Sequence, residues 1–272
     1  MQIAFSGRLG SGKSTVCAIL RDTYGYEIYS TGTVQRKVAE DMGISTLELN
    51  ERMTKDPTLD HIIDDAVVKL SREKSGSQIV YDSRMAWHFA ENTFKVYMYV
   101  DPTIAAKRVF NADRGDVEKY ASEEDALNQL NARGNEENKR FKKIYNVDNF
   151  DYSNYHLIID STTASPEQIA DAIAKGAKDF EENSYTDTKM LVSPFVVFPT
   201  APYGTDDEEE IVITLVDSVH YCVKGHNKLA ALQLCGSAFA HATFQKNAPI
   251  TPDKTLFKEY EKAANFKFFT NI

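Results

Sequence analysis

Short apolar runs alternate with longer stretches whose apolar positions recur every three or four residues, and this rhythm holds from Met1 to about Glu182. Runs of the first kind read as buried strands and the second as amphipathic helices, so parallel strands joined by helices are predicted. The strands are placed at residues 2–6, 27–29, 78–82, 95–100 and 156–160. Helices are placed at 13–24, 33–42, 59–73, 102–112 and 123–145, with Pro102 suited to a first helical turn. Ser165 caps a last helix over 166–180, and the polar, aperiodic stretch 181–189 reads as a linker.

Beyond that stretch the pattern changes. Residues 192–198 and 211–216 are rich in β-formers, and Pro199, Pro202, Gly204 and the acidic run 206–210 lie between them. The chain of 272 residues therefore divides into a front unit, 1–182, and a small α+β unit, 183–272. With 42% hydrophobic and 26% charged residues the composition is that of an ordinary globular protein. The net charge of −9, almost all of it in the front unit, disfavours a protein that coats nucleic acid or anionic membrane nonspecifically. Cys17, Cys222 and Cys235 are widely spaced, so neither a disulfide framework nor a zinc ribbon is indicated. The first residues lack the features of a signal peptide, and the most apolar stretch, 191–198, is short and broken by Pro194. A cytoplasmic protein is expected, with no membrane partner; the oligomeric state is left open.

Gly7-Arg8-Leu9-Gly10-Ser11-Gly12-Lys13-Ser14 satisfies G-x-x-x-x-G-K-[ST] and stands where the chemistry requires, after a strand and before a helix. Such a loop curls its backbone N–H groups inward, and the helix N-terminus adds partial positive charge for a polyphosphate. The expected fold is thus α/β: a P-loop NTPase with a five-stranded parallel sheet flanked by helices. Gly7, Gly10, Ser11, Gly12, Lys13, Ser14 and Thr15 are the candidate ATP-binding residues. Lys13 would contact the β- and γ-phosphates and Ser14 would help hold Mg²⁺. At 79–84, Ile-Val-Tyr-Asp-Ser-Arg is a buried strand ending in an acid, which makes Asp82 the second candidate Mg²⁺ ligand. A plain strand-end turn is the alternative for Asp82.

Sixteen residues after Ser14 comes Ser30-Thr31-Gly32-Thr33-Val34-Gln35-Arg36. Here the chain resembles the nucleoside monophosphate kinases, above all the archaeal-type cytidylate kinases, whose S-T-G-x-x-x-R segment opens the helix over the acceptor nucleotide. The resemblance implies that Arg36 binds the acceptor phosphate and that Ser30, Thr31 and Gly32 lie beside the nucleotide. It also implies that Arg84, with Asp82, faces the acceptor. The likeness extends to a lid region: Arg108, Arg114, Arg133, Arg140 and Tyr145, then Asp148, Asp151 and an apolar strand ending in Asp160. Where that pattern has Glu after the first lid arginine, this chain has Gly134.

Arg133 and Arg140 are seven apart, close to two helical turns, so both can project from one face toward phosphates. With Lys13 they are the candidate catalytic residues, since a guanidinium fork can grip phosphate oxygens bidentately during transfer. Surface ion pairing is the expected fate of at least one of the four lid-region arginines. A nucleotide phosphate is already largely deprotonated at neutral pH, so the attacking oxygen needs no general base. The expected reaction is Mg²⁺-dependent transfer of the ATP γ-phosphoryl group to a nucleoside monophosphate, with CMP or dCMP following from the family likeness alone. Glu48, Asn50, Asp60 and Asp64 are charged or polar residues of the acceptor region that could reach a base edge.

In the second unit, Tyr221 to Leu232 reads as a strand, a tight turn at Gly225 and a helix start. It weakly resembles the ParB/sulfiredoxin-like pattern, with Lys228 where that pattern has Arg. Gly225, His226 and Lys228 at a helix N-terminus could hold a phosphate, or serve packing only. His220, Cys222 and His226 lack a fourth spaced metal ligand. The aromatic spacing over 257–269 suits a terminal helix docked on the core. The competing functional reading is a regulatory protein that binds ATP or CTP without useful turnover and signals through its C-terminal unit.

Overall fold

The computed structural model describes residues 1–45, 48, 49, 52, 60–112, 120–206 and 208–269. Strand β1 (Gln2–Gly7) feeds helix α1 (Lys13–Tyr24), and β2 (Glu27–Ser30) feeds α2 (Thr31–Asp41) and then α3 (Asp60–Glu73). There follow β3 (Ile79–Asp82), the one-turn α4 (Ala86–Phe89), β4 (Thr93–Tyr99), α5 (Pro102–Asn111), α6 (Glu123–Tyr145), β5 (Leu157–Asp160) and α7 (Pro166–Asn183). Local chemistry explains the boundaries. Gly25 ends α1 in the left-handed conformation, Asp101 caps α5 ahead of Pro102, and Ser165 with Gln168 forms a full capping box on α7.

The C-terminal part adds β6 (Lys189–Val192), β7 (Val197–Phe198), β8 (Ile211–Val216), β9 (Val219–Lys224), α8 (His226–Leu234), β10 (Ala240–Phe244) and α9 (Lys254–Ala263). All ten strands lie in one sheet, in the order β2-β3-β1-β4-β5-β6-β10-β8-β9-β7. The first six are parallel throughout. The five predicted strands are thus present, and the sheet does not stop at β5. Stretch 181–189, read from the sequence as a linker, holds the end of α7 and the first residue of β6, which pairs with β5 through Ile158 opposite Met190. The β-rich run 192–198 is split, because Pro194 opens a single 3₁₀ turn between β6 and β7.

Strand residues alternate between two cores. Tyr97, Tyr81, Tyr152, Val34, Val67, Trp87, Ile213 and Leu229 fill one face, and Val96, Met98, Phe5, Val16, Leu20 and Ile173 fill the other. Both faces of β1 are buried, so its run of apolar residues is continuous, as expected for a central parallel strand. A third cluster of Phe198, Tyr221, Phe257, Tyr260 and Phe268 docks α9 and the aromatic tail.

His226 begins α8 between Asp206 and Thr200: its Nδ1 meets Asp206 Oδ2, and its Nε2 accepts from the Thr200 amide at 3.1 Å. The Thr200 hydroxyl donates instead to the Cys222 carbonyl at 2.6 Å, so the set fastens a helix to a loop. Burial opposes ionisation of Asp206, but the hydrogen bonds from His226 and Glu208 outweigh it and hold the carboxyl down at about 2. Lys228 turns away to the Glu209 carbonyl, and His220 hydrogen-bonds Tyr152. No described helix is long and apolar enough to cross a membrane.

Candidate functional site

The strand order sets β1 between β3 and β4, so the loop after β1 emerges at the carboxyl edge inside the parallel part of the sheet. Gly7 must be a glycine there, since a Cβ would stand 2.5 Å from the Met98 carbonyl oxygen. Gly12 adopts φ +91°, and a Cβ on it would meet nothing within 4 Å, so the curled loop leaves an open hollow at the start of α1. Ser11 is tied down, its hydroxyl donating to the Arg8 carbonyl at 2.7 Å and its own carbonyl accepting from Ser161 at 2.9 Å. Ser14 and Thr15 stand exposed in the first turn of α1.

Lys13 Nζ lies 3.4 Å from Asp82 Oδ1, both side chains mostly buried. The ammonium and the carboxylate that the sequence assigns to phosphate and cation therefore meet beside the open hollow. This donor set fits ATP with Mg²⁺: hard oxygen ligands from Ser14 and Asp82, and charge compensation from Lys13.

A cavity of about 480 Å³ opens next to this pair, lined by Thr31, Gln35, Asp64, Arg84, Arg133, Arg140 and the rings of Tyr29, Tyr81, Phe89 and Tyr145. Three arginines from β3's exit loop and α6 thus converge on one space. Arg84 Nη1 pairs with Glu137 Oε2 at 2.8 Å, and Arg133 Nε with Glu137 Oε1 at 3.2 Å. Arg140 lies over the Phe141 ring, 5.7 Å from its centroid. The helical spacing argued from sequence holds, because α6 is one continuous helix from Glu123 to Tyr145.

Other predicted residues fall differently. The Ser30 hydroxyl is engaged in capping α2, accepting from the Thr33 amide. Arg36 is exposed, donates to Thr33 Oγ1 at 3.2 Å and does not line the cavity, because it stands about 100° around α2 from Gln35, which does. Arg108 braces the loop after β5, donating to the Ser161 carbonyl at 2.6 Å. Glu48 pairs with Arg52. Arg114, Asn50 and the side chain of Asp60 lie outside the described residues.

One group was missed. Glu137 balances two of the cavity's arginines, and only the fold reveals it, since in sequence it is one acid among several on a charged helix. The Tyr145 hydroxyl donates to Asp64 at 2.6 Å, linking α6 to α3 across the cavity. The loop 160–163 is equally deliberate. Asp160 is fully buried and accepts from the Thr162 amide and hydroxyl and from the Ser193 amide, and Thr163 donates to Ser193 and the Ala238 carbonyl.

A phosphate loop at the carboxyl edge of the parallel strands, facing a cavity lined by cations under an arginine-bearing helix, defines a P-loop kinase of the nucleoside monophosphate kinase class. The chain belongs to the cytidylate kinase-like family, whose sequence pattern matches residues 2–163. It is 36% identical over 171 residues to the cytidylate kinase of Natronomonas pharaonis, covering 62% of this chain and 85% of that one. Identity to the Methanosarcina barkeri cytidylate kinase is 32% over 178 residues, 64% of this chain and 94% of that one. An S-adenosylmethionine-dependent nucleotide dehydratase of Lacinutrix mariniflava shares 32% identity over 174 residues, 63% of this chain and 35% of its own. Among solved structures, shikimate kinase of Bacteroides thetaiotaomicron overlaps 64% of this chain and 97% of that one, with 12% identity and a TM-score of 0.44.

Proposed function

We propose that this protein transfers the γ-phosphoryl group of ATP to CMP or dCMP. The observation that carries the reading is the juxtaposition of Lys13 and Asp82 at 3.4 Å with a neighbouring cavity that holds Arg84, Arg133 and Arg140. A donor polyphosphate on the loop and an acceptor phosphate among the arginines would meet at that junction, where alignment and charge neutralisation do the chemistry. Lys13 would follow the charge that shifts toward the leaving oxygens, while Arg133 and Arg140 close on the transferred group. Ser14 and Asp82 would hold Mg²⁺, which when bound neutralises phosphate-oxygen charge. Thr31, Gly32 and Arg84 are assigned to the acceptor, with Arg36 reaching it by a rotamer change from the rim. CMP as acceptor rests on the family and on relatives that are cytidylate kinases. Three free cysteines fit a reducing, cytoplasmic setting.

The test is ADP release with ATP, Mg²⁺ and a panel of nucleoside and deoxynucleoside monophosphates. CMP or dCMP should stimulate release most, and Lys13→Ala should lower turnover roughly 10²- to 10³-fold. Normal transfer by Lys13→Ala would discard the assignment. The regulatory reading draws on the bonds from Ser193 and Ala238 to the loop that braces Ser11, and it predicts tight nucleotide binding with no acceptor stimulation.

A further inference from the structure

A second cavity, of about 350 Å³, lies beside the acceptor cavity, with Arg84 common to both. Its walls include Arg8 and Leu9 of the phosphate loop, Tyr99 and the start of α5, Gly134 and its neighbours on α6, Phe150, Phe198 and the tip of the β8–β9 hairpin. At that tip Asp217 and Ser218 are both left-handed, with φ +49° and +67°. We propose that this cavity binds a small ring-bearing anion, a phosphate monoester or carboxylate attached to an aromatic ring. The proposal stands apart from the CMP reading.

Four observations support it. The Arg8 side chain is half-buried, its guanidinium stands 5.5 Å from the Tyr99 ring centroid, and it forms no side-chain hydrogen bond or ion pair among the described residues. Burial opposes its charge but does not overturn it, with the Asp101 carboxylate acting in the other direction, so the guanidinium stays protonated. A guanidinium in such surroundings has donors to offer and a strong demand for an anion.

His220 lines the same cavity, is 1% exposed, and has an Nδ1 with no hydrogen-bond partner, its Nε2 being taken by Tyr152. Phe150, Phe198 and Tyr99 supply ring faces for an aromatic body. Finally, the cavity owes its depth to Gly134. A Cβ there would meet only Phe150 Cζ, at 3.8 Å, so any longer side chain would project into the space. Asp217 at the mouth sets a limit on the charge accommodated, which favours one anionic group over a polyphosphate.

The test is calorimetric titration of the full chain with phenyl phosphate and with inorganic phosphate, with and without saturating CMP. Phenyl phosphate should bind whether or not CMP is present, and roughly 10-fold or more tightly than inorganic phosphate. Arg8→Met should weaken it about 10-fold or more by removing a charge-assisted contact. Since Arg8 belongs to the phosphate loop, Gly134→Leu provides an independent arm. That residue has ordinary helical geometry, so leucine adds helix propensity, and a preserved melting temperature with lost phenyl phosphate binding is expected. Retained affinity in Gly134→Leu, equal affinity for the two phosphates, or absence of binding to the wild type would overturn the proposal.

Discussion

Arg84 offers the sharpest test of how the acceptor is held. It follows β3, its carbonyl accepts from the Ser6 hydroxyl at 3.1 Å, and its guanidinium faces Glu137 at 2.8 Å with the side chain 24% exposed. On the proposed assignment, replacement by alanine removes a fork from the acceptor; it also leaves Glu137 balanced by Arg133, at 3.2 Å. A hydrogen bond to a charged partner contributes about 1.5–3 kcal/mol, equivalent to roughly 10- to 150-fold, and partial burial places this one in the upper part of that range. The carboxylate, with one partner fewer, then adds repulsion toward an incoming phosphate. Arg84→Ala should therefore lower kcat/KM for the acceptor by about 10²-fold, while KM for ATP changes by less than about 3-fold. Arg84→Lys should recover only part of the loss, because an ammonium has no planar fork. Initial-rate kinetics with ATP saturating and the acceptor varied, then the converse, separate the two constants. An acceptor kcat/KM within about 3-fold of wild type in Arg84→Ala would refute the assignment.

Burial pushes the Asp160 carboxyl up to about 6, despite the hydrogen bonds it accepts from Thr162 and Ser193. The folded chain then holds this proton more tightly than the unfolded one, whose ordinary value is 3.8, so the contribution to stability is full below that value and is lost as pH rises through about 6. The difference corresponds to about 3 kcal/mol. Urea unfolding at about pH 4 and about pH 7.5 should show wild type losing roughly that much more stability than Asp160→Asn, and equal losses would refute it. Cutting the chain after Glu182 removes the β6 partner of β5 and the Ser193 amide on Asp160, so the fragment should melt at a markedly lower temperature and aggregate; an unchanged melting temperature would show that 1–182 folds independently.

The front of the sheet was legible because each element carries its own period and punctuation. Helix α1 runs from Lys13 to Tyr24 as read, with Gly25 to end it, and α6 runs from Glu123 to Tyr145 between Ser122 and Asn146. The phosphate loop was legible for the same reason, as its chemistry is contiguous. What could not be read was anything carried by partners distant in sequence. Glu137 gains its meaning only where Arg84 is brought to it, and Arg36 stands off the cavity on the outer side of α2, where Thr33 Oγ1 accepts from it. The continuation of the sheet past β5 was hidden too. Lys189–Val192 is a strand of four residues after a polar stretch, and no local pattern says which edge it will join.

An open sheet of ten strands would ordinarily carry a hazard at its two rims, where unpaired main-chain groups can recruit a neighbouring molecule. Here one rim is β7, two residues long, and the other is β2, four residues opening on the charged Glu27 with Lys74 beside it. Neither presents a ladder long enough to template polymerisation, so the chain gains a wide scaffold without becoming a seed for fibres.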